Sequence, residues 1–316
     1  LVFRRSLKLL LDRRGADIVV AYHWRAALAS VGIPNRILLL GDPLLASKLA
    51  RAKKNSDFPG RNQGNNPLSA VKTVLGDHVV KIVEKLAVWR ASGLGMFSPH
   101  HASAMSKQLG CPVSFIHTPW VQDTERSATF AQDQTVFTLG LMGQLGGTAT
   151  RAGLRFFARE ILPGLQDSLD RGQLKIRVSG ASAPGEAIEV WKDLWDAGAV
   201  YVGHRYPPSI EFQEINALVV PTNIPLGNRL RILDSWAHGV PVLAHVANLS
   251  GIPELSHTEN CLLWETAAEF KECLTLIQSN QEQVAQRLVE GGRATLRDEY
   301  SPVPFLNEFW SLLGLT

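Results

Sequence analysis

The chain has 316 residues, 45% of them apolar and 19% charged, and its 32 basic and 29 acidic side chains leave a formal net charge of +3. No apolar run reaches the eighteen or so residues a membrane span needs, and the composition is neither collagen-like nor that of a disordered chain, so the reading is a soluble globular protein. This length favours two domains over one core, and three scattered cysteines, Cys111, Cys261 and Cys273, argue against a disulfide framework or a zinc site and fit a reducing, cytoplasmic setting.

Apolar strand-like runs alternate with helix-length segments, which predicts an α/β fold of mainly parallel sheets. The chain opens on Leu1 rather than Met, without a signal-peptide pattern, and reads as starting inside a longer protein. Leu1 to Arg14 sets Arg4, Arg5, Lys8, Arg13 and Arg14 among apolar residues. This is a basic amphipathic helix, better suited to packing on a sheet than to a membrane surface. Strands are predicted over Ala16–Tyr22 and Arg36–Leu40, with helices over Trp24–Val31 and Leu44–Lys54. The polar, Gly/Pro-rich stretch 55–67 reads as a mobile loop. A long helix over Ser69–Ala91, with Gly76 as a candidate break, and strands over Gly95–Ser98 and Val113–His117 complete a first domain, residues 1–122, which reads as N-terminally shortened.

A polar linker, 123–134, separates it from a second domain, 135–300. There the alternation resumes with strands over Val136–Met142, Leu174–Ser179, Val200–Val202, Ala217–Pro221, Pro241–His245 and Cys261–Trp264. Helices are predicted over Thr150–Leu165, Glu186–Asp196, Asn228–Ala237, Ala267–Gln278 and Glu282–Leu296. Pro302 and Pro304 introduce a last apolar helix, Phe305–Leu313, within 301–316. The small net charge hides an asymmetry: residues 1–134 hold 18 basic and 9 acidic side chains, and the remainder 14 and 20. A basic half beside an acidic half points to an anionic partner for the first domain, with scattered surface charge as the equal alternative.

The segment Pro221 to Ala244 carries the most chemistry. A buried strand ends at Pro221, a Gly/Pro loop follows, and a helix opens near Asn228, a suitable N-cap. Free N–H groups there, with Arg229 in the first turn, make an anion site; an Arg hydrogen bond adds ~1.5–3 kcal/mol and the helix dipole ~0.3–1 kcal/mol. Asp234, further into the helix, can accept hydrogen bonds from a diol such as ribose. Neither a Walker loop nor a G-x-G-x-x-G fingerprint is present.

The run from Gly227 through Ala244, followed by Gly251-Ile252-Pro253-Glu254 and Glu259-Asn260-Cys261-Leu262-Leu263, resembles the donor-binding signature of the GT-B glycosyltransferases, family 4 and the related group 1 domain. Leu139-Gly140-Leu141-Met142-Gly143-Gln144-Leu145, the helix ending at Pro163, Lys175 to Gly180 and Val202 to Arg205 resemble that domain's earlier strand ends. The resemblance spans about residues 135–300 and is weak before them. It implies two Rossmann-like doubly wound domains facing a cleft, the first incomplete, with the last helix crossing back to the first. Gly227, Asn228, Arg229 and Leu230 would hold the diphosphate of a nucleotide sugar. Asp234 stands where the family has the Glu that binds ribose. Gly143 would let backbone approach the donor, Gly180 would lie near ribose and base, and His204, Arg205 and Tyr206 would border the base. No metal or other cofactor is implied.

Three departures accompany it. Leu226 occupies the position of the first Glu in the family's E-x7-E pattern. Gln144 stands where a basic residue is usual, with Arg151 or Arg155 as replacements. Gly41 precedes Asp42 where the family often has His. His23, His100, His101 and Glu254 read as capping or structural groups, while His117 reads equally as a cleft residue. The expectation is a glycosyltransferase, retaining by analogy with family 4. It would move a sugar from a nucleotide diphosphate sugar to a glycan or lipid-linked acceptor, with no catalytic residue assigned. An inactive nucleotide-sugar-binding relative and a nucleotide-sugar epimerase are the alternatives. The basic domain adds an expected contact with an anionic membrane at the cytoplasmic face, and nucleic acid is not an expected partner.

Overall fold

The computed structural model describes residues 17–44, 67–120, 136–181, 192–279 and 281–314. The helices expected over Leu1–Arg14 and most of Leu44–Lys54, the loop 55–66, the linker 123–134 and the start of the helix expected from Glu186 lie outside the described residues. The chain divides into two compact units, one reaching to Pro119 and resuming at Pro302, the other Trp120–Ser301.

In the first unit, Val19–Tyr22 (β1) leads into His23–Ala29 (α1), and Arg36–Leu40 (β2) follows. Pro67–Val88 (α2) runs without a break through Gly76, since one helical Gly costs only about 1 kcal/mol. Gly93–Met96 (β3), Pro99–Leu109 (α3) and Ser114–Phe115 (β4) complete its sheet, which is parallel in the order β1-β2-β3-β4. The strand-to-helix turn expected at His100–His101 is the first turn of α3. Ser98 caps it by accepting the His101 N–H at 3.3 Å, Pro99 opens it, and Gly110 closes it in the left-handed conformation. Every residue of β2 is buried. Its period of two sends Leu38 and Leu40 to one face, with Trp24, Ala27 and Met105, and Ile37 and Leu39 to the other, with Ile116. Each such Leu or Ile contributes ~1.5–3 kcal/mol by burial.

In the second unit, Phe137–Met142 (β5) is followed by Thr148–Phe156 (α4), a π-helical turn at Phe157–Ile161, a 3₁₀ turn at Leu162–Leu165 and Gln166–Asp170 (α5). The single helix expected to Leu165 thus loses its α geometry near Pro163, which lacks the N–H an α-helix needs. Then come Leu174–Ser179 (β6), Lys192–Asp196 (α6), Val200–Tyr201 (β7), Ser209–Phe212 (α7), Ala217–Val220 (β8), Leu230–Ala237 (α8), Val242–His245 (β9), Leu262–Trp264 (β10), Ala267–Ser279 (α9) and Gln281–Glu299 (α10). The sheet is parallel throughout, in the order β10-β9-β8-β5-β6-β7. Phe137, Leu139, Ala217, Val219 and Leu243 fill the core on one face, and Leu218, Val220, Val242 and Ala244 the core on the other.

Pro302–Leu312 (α11) belongs to the first unit, where Phe305, Phe309 and Leu312 cover Ile37, Leu39 and Ile116. Glu308 fixes it there by accepting the His117 backbone N–H at 2.7 Å and facing its ring Nδ1 at 2.6 Å. No described helix is long and apolar enough to cross a membrane.

Candidate functional site

Chain order reverses between β5 and β8: β6 and β7 extend the second sheet one way, β9 and β10 the other. In open α/β sheets the carboxyl ends of the two strands flanking such a reversal, here β5 and β8, are where a ligand crevice is expected. Glycine shapes one rim. Gly143 follows β5 with φ 139° and donates to the Ser179 carbonyl at 3.1 Å. Gly180 follows β6 with φ 141° and donates to the Gly203 carbonyl at 2.9 Å. A Cβ on Gly180 would lie 1.7 Å from the Gly143 carbonyl oxygen, so only bare backbone allows this approach. The other rim is the turn after β8, held by Asn248, whose Nδ2 reaches the Val220, Thr222 and His245 carbonyls at 3.3, 3.2 and 2.7 Å.

The helix expected to open at Asn228 opens at Leu230. Arg229, not Asn228, holds the N-cap position, with φ −103° and ψ 72° and no side-chain cap. Its Nη2 turns back to donate to the Leu226 carbonyl, closing the loop around Gly227 at φ 76°. Gly251 packs against this loop so closely that a Cβ would come 2.6 Å from the Gly227 oxygen. The four N-terminal N–H groups of α8 have no partner within the helix, and α4 likewise starts on Gly147 without a side-chain cap.

Arg231 joins the two rims, and the sequence reading missed it. Its Nη1 donates to the Met142 carbonyl at the end of β5, at 2.6 Å, and lies 3.4 Å from Thr150 Oγ1 on α4; its Nη2 reaches Thr222 Oγ1 at 3.1 Å. A Cβ on Gly143 would sit 2.3 Å from Nη1. The Nε is buried without a hydrogen-bond partner, and among the described residues no carboxylate bonds this guanidinium. Burial, reinforced by the neighbouring charge of Arg229, lowers its pKa to about 9. Arg229 and Arg231 are two positions apart, a spacing that puts side chains on different faces of a helix. With Arg229 outside α8 that objection vanishes, but only the true start of the helix reveals it.

Asp234 lies one turn further along α8, half-buried; burial raises its carboxyl to about 6, partly offset by nearby His238. Leu230 is exposed in the first turn, whereas Leu226, at the position of the family Glu, is buried. Gln144 is exposed. Arg151 is buried and Arg155 half-buried, and the guanidinium that lies against Gly143 is that of Arg231, from another element. Arg205 stands past β7, two strands from the crevice, 3.9 Å from Glu211. Glu211 is buried and already bound by Arg177 at 2.9 and 3.1 Å.

Three other candidates, His101, His117 and Glu254, are tied to neighbouring side chains. His101 is buried with Nδ1 3.2 Å from Asp42. His117 is buried and tied to Glu308. Glu254 starts no helix: it lies in a turn, and its Oε2 accepts from the Tyr300 hydroxyl at 2.5 Å. Burial pushes the Cys261 and Cys273 thiols up to about 12 and about 11, unlike nucleophiles. Among the described residues, no group of three or more His, Cys, Asp or Glu could hold a metal ion.

Residues 136–280 match the family described as glycosyl transferases group 1. No curated protein sequence matches the chain. Among solved structures, sucrose-phosphate synthase from Thermosynechococcus elongatus superposes with a TM-score of 0.72 at 14% identity, over 99% of this chain and 76% of that one. HepE of Anabaena, in complex with UDP, gives 0.70 at 14% identity, over 99% and 82%. WaaG, a glycosyltransferase involved in lipopolysaccharide biosynthesis, gives 0.61 at 12% identity, over 98% and 80%. Residues 136–280 thus match the glycosyl transferases group 1 domain, and the chain shares the GT-B fold of these structures.

Proposed function

We propose that the switch crevice holds the diphosphate of a nucleotide-sugar donor, clamped by Arg229 and Arg231 over the first turns of α4 and α8. The observation that carries this reading is the pair of arginines at two helix N-termini without side-chain caps, where the guanidinium charges and the positive ends of both helix dipoles add. Gly143, Gly180 and Gly227 keep the backbone open to the phosphates, Asn228 and Leu230 border them, and Asp234 accepts the ribose hydroxyls. Arg205 and its neighbours past β7 border the base. The complex of HepE with UDP supports a nucleoside diphosphate as the common ligand.

As the bond to the anomeric carbon breaks, negative charge grows on the departing diphosphate. Fixed positive groups already aimed at it stabilise that state without reorganising. Transfer would proceed with retention to a glycan or lipid-linked acceptor carried by the first unit, and no metal is required by this scheme. A panel of UDP-, GDP- and ADP-sugars tests it. Nucleotide release that depends on added glycan acceptor, with the anomeric configuration kept in the product, supports the proposal. Interconversion of donors makes the protein an epimerase, and binding without turnover makes it an inactive relative. Arg231→Met should weaken UDP binding by roughly 10- to 100-fold, the equivalent of one or two charge-assisted hydrogen bonds. Unchanged affinity in both Arg231→Met and Arg229→Ala would remove the donor from this crevice.

A further inference from the structure

The helix α2 carries a feature that the donor site leaves unexplained. Val79, Ile82 and Leu86, with Trp89 just past its end, are 57%, 56%, 54% and 51% exposed, although each is large and apolar. At 100° per residue they fall within an arc of about 80°, a continuous stripe about 15 Å long. Lys81, Lys85 and His78 lie along one edge of the stripe, all exposed, and Arg90 stands at its end with its guanidinium 4.6 Å above the Trp89 ring. The only acids of the helix, Asp77 and Glu84, are on the far side. Glu84 is fully buried there, accepting from the Leu44 N–H at 2.7 Å and from Gln108 at 2.5 Å.

We propose that this face docks the first unit onto an anionic lipid bilayer, the apolar stripe entering the headgroup boundary and Lys81, Lys85 and Arg90 pairing with lipid phosphates. Three observations favour a bilayer over other occupants. The stripe is exposed and rimmed by a single sign of charge, the pattern of an interfacial helix. Trp89 with Arg90 above it presents an apolar body and a cationic tip, suited to the headgroup level. A second copy would bring the same lysines against themselves, and the chain's own first fourteen residues carry five cations of the same sign. An anionic surface meets no such repulsion.

The test is co-sedimentation of the full chain with vesicles of phosphatidylcholine alone and of phosphatidylcholine with roughly a third phosphatidylglycerol. The wild-type chain should sediment only with the anionic vesicles, and added salt should release it. Ile82→Glu with Leu86→Glu, and separately Lys81→Glu with Lys85→Glu, should each lower the partition coefficient about tenfold or more. Melting temperature and UDP affinity should stay as they are, because these side chains are exposed and belong to the other unit, so the donor reading and this one fail separately. Wild-type chain left in the supernatant overturns the proposal. So does unaltered partitioning of both variants, which would move docking to another surface, and so does conversion of a wild-type dimer to monomer by the stripe variant, which would make the occupant a second copy.

Discussion

Two arginines, one buried in the first unit and one half-buried in the second, tie strand ends to neighbouring elements in opposite electrostatic settings. Arg36, at the start of β2, donates to the Ala27 carbonyl at 3.0 Å and to the Trp89 carbonyl, groups in the last turn of α1 and just past α2. Those are negative helix ends, so the charge is placed where the dipoles want it, and burial alone lowers its pKa. Arg231 is also tied to backbone and hydroxyl oxygens, but it lies between two helix N-termini and beside Arg229. The first arginine is compensated by the fold. The second is compensated only in part, with its Nε left without a partner, and in the proposed function the donor diphosphate supplies the rest.

The largest effect that could break this contrast is on stability. Arg36→Met strands carbonyls at two helix ends and should destabilise the ligand-free protein by about 3 kcal/mol, as breaking a buried charged network does. Arg231→Met removes a poorly compensated charge along with its bonds, and should cost about 1 kcal/mol or less. Adding UDP at one fixed concentration should then raise the melting temperature of wild-type and Arg36→Met protein more than that of Arg231→Met. Equal losses without ligand would mean that Arg231 is as fully compensated as Arg36.

Asp234 sharpens the contrast through pH. Its folded pKa of about 6 lies above the ordinary 3.8, so between those values the folded, ligand-free protein holds a proton that the unfolded chain has lost. That contribution to stability is present in acid and lost as pH rises through about 6. Ribose hydroxyls need the carboxylate as acceptor, so UDP affinity should run the other way. It should fall by up to about tenfold per unit as pH drops below 6, with no such slope in Asp234→Asn. Calorimetric titration across pH 4.5 to 7.5, designed around that value, reads both variants; a slope that survives in Asp234→Asn assigns it to another group.

The parallel sheets were legible because their signals are local. Arg36–Leu40 and Leu174–Ser179 stand at their expected bounds, since a short apolar run between turn residues has few other solutions. Gly143, Gly180 and Gly227, singled out by the family resemblance, each have positive φ. What could not be read was the start of α8. The pattern favoured Asn228 as cap, yet the Arg229 side chain ties down the Leu226 carbonyl and delays the helix by two residues. That shift brings two arginines of a three-residue run to one crevice. The partner of Arg231, the Met142 carbonyl, is 89 residues away, a distance that no local window spans.

The smallest effect probes whether Arg231 has taken over the charge that relatives place after Gly143. Gln144 is exposed at that position, so Gln144→Lys adds a solvated cation, and solvated cations interact weakly. In the wild-type background, where the Arg231 guanidinium already lies against Gly143, the gain in UDP affinity should be about threefold or less. In the Arg231→Met background the same lysine faces an unneutralised diphosphate and should restore affinity by roughly tenfold. The two substitutions are then non-additive, and the coupling measures how far one charge substitutes for the other. Equal gains in both backgrounds would show that the two positions serve separate anions, and Arg231 would be a structural arginine of the same kind as Arg36.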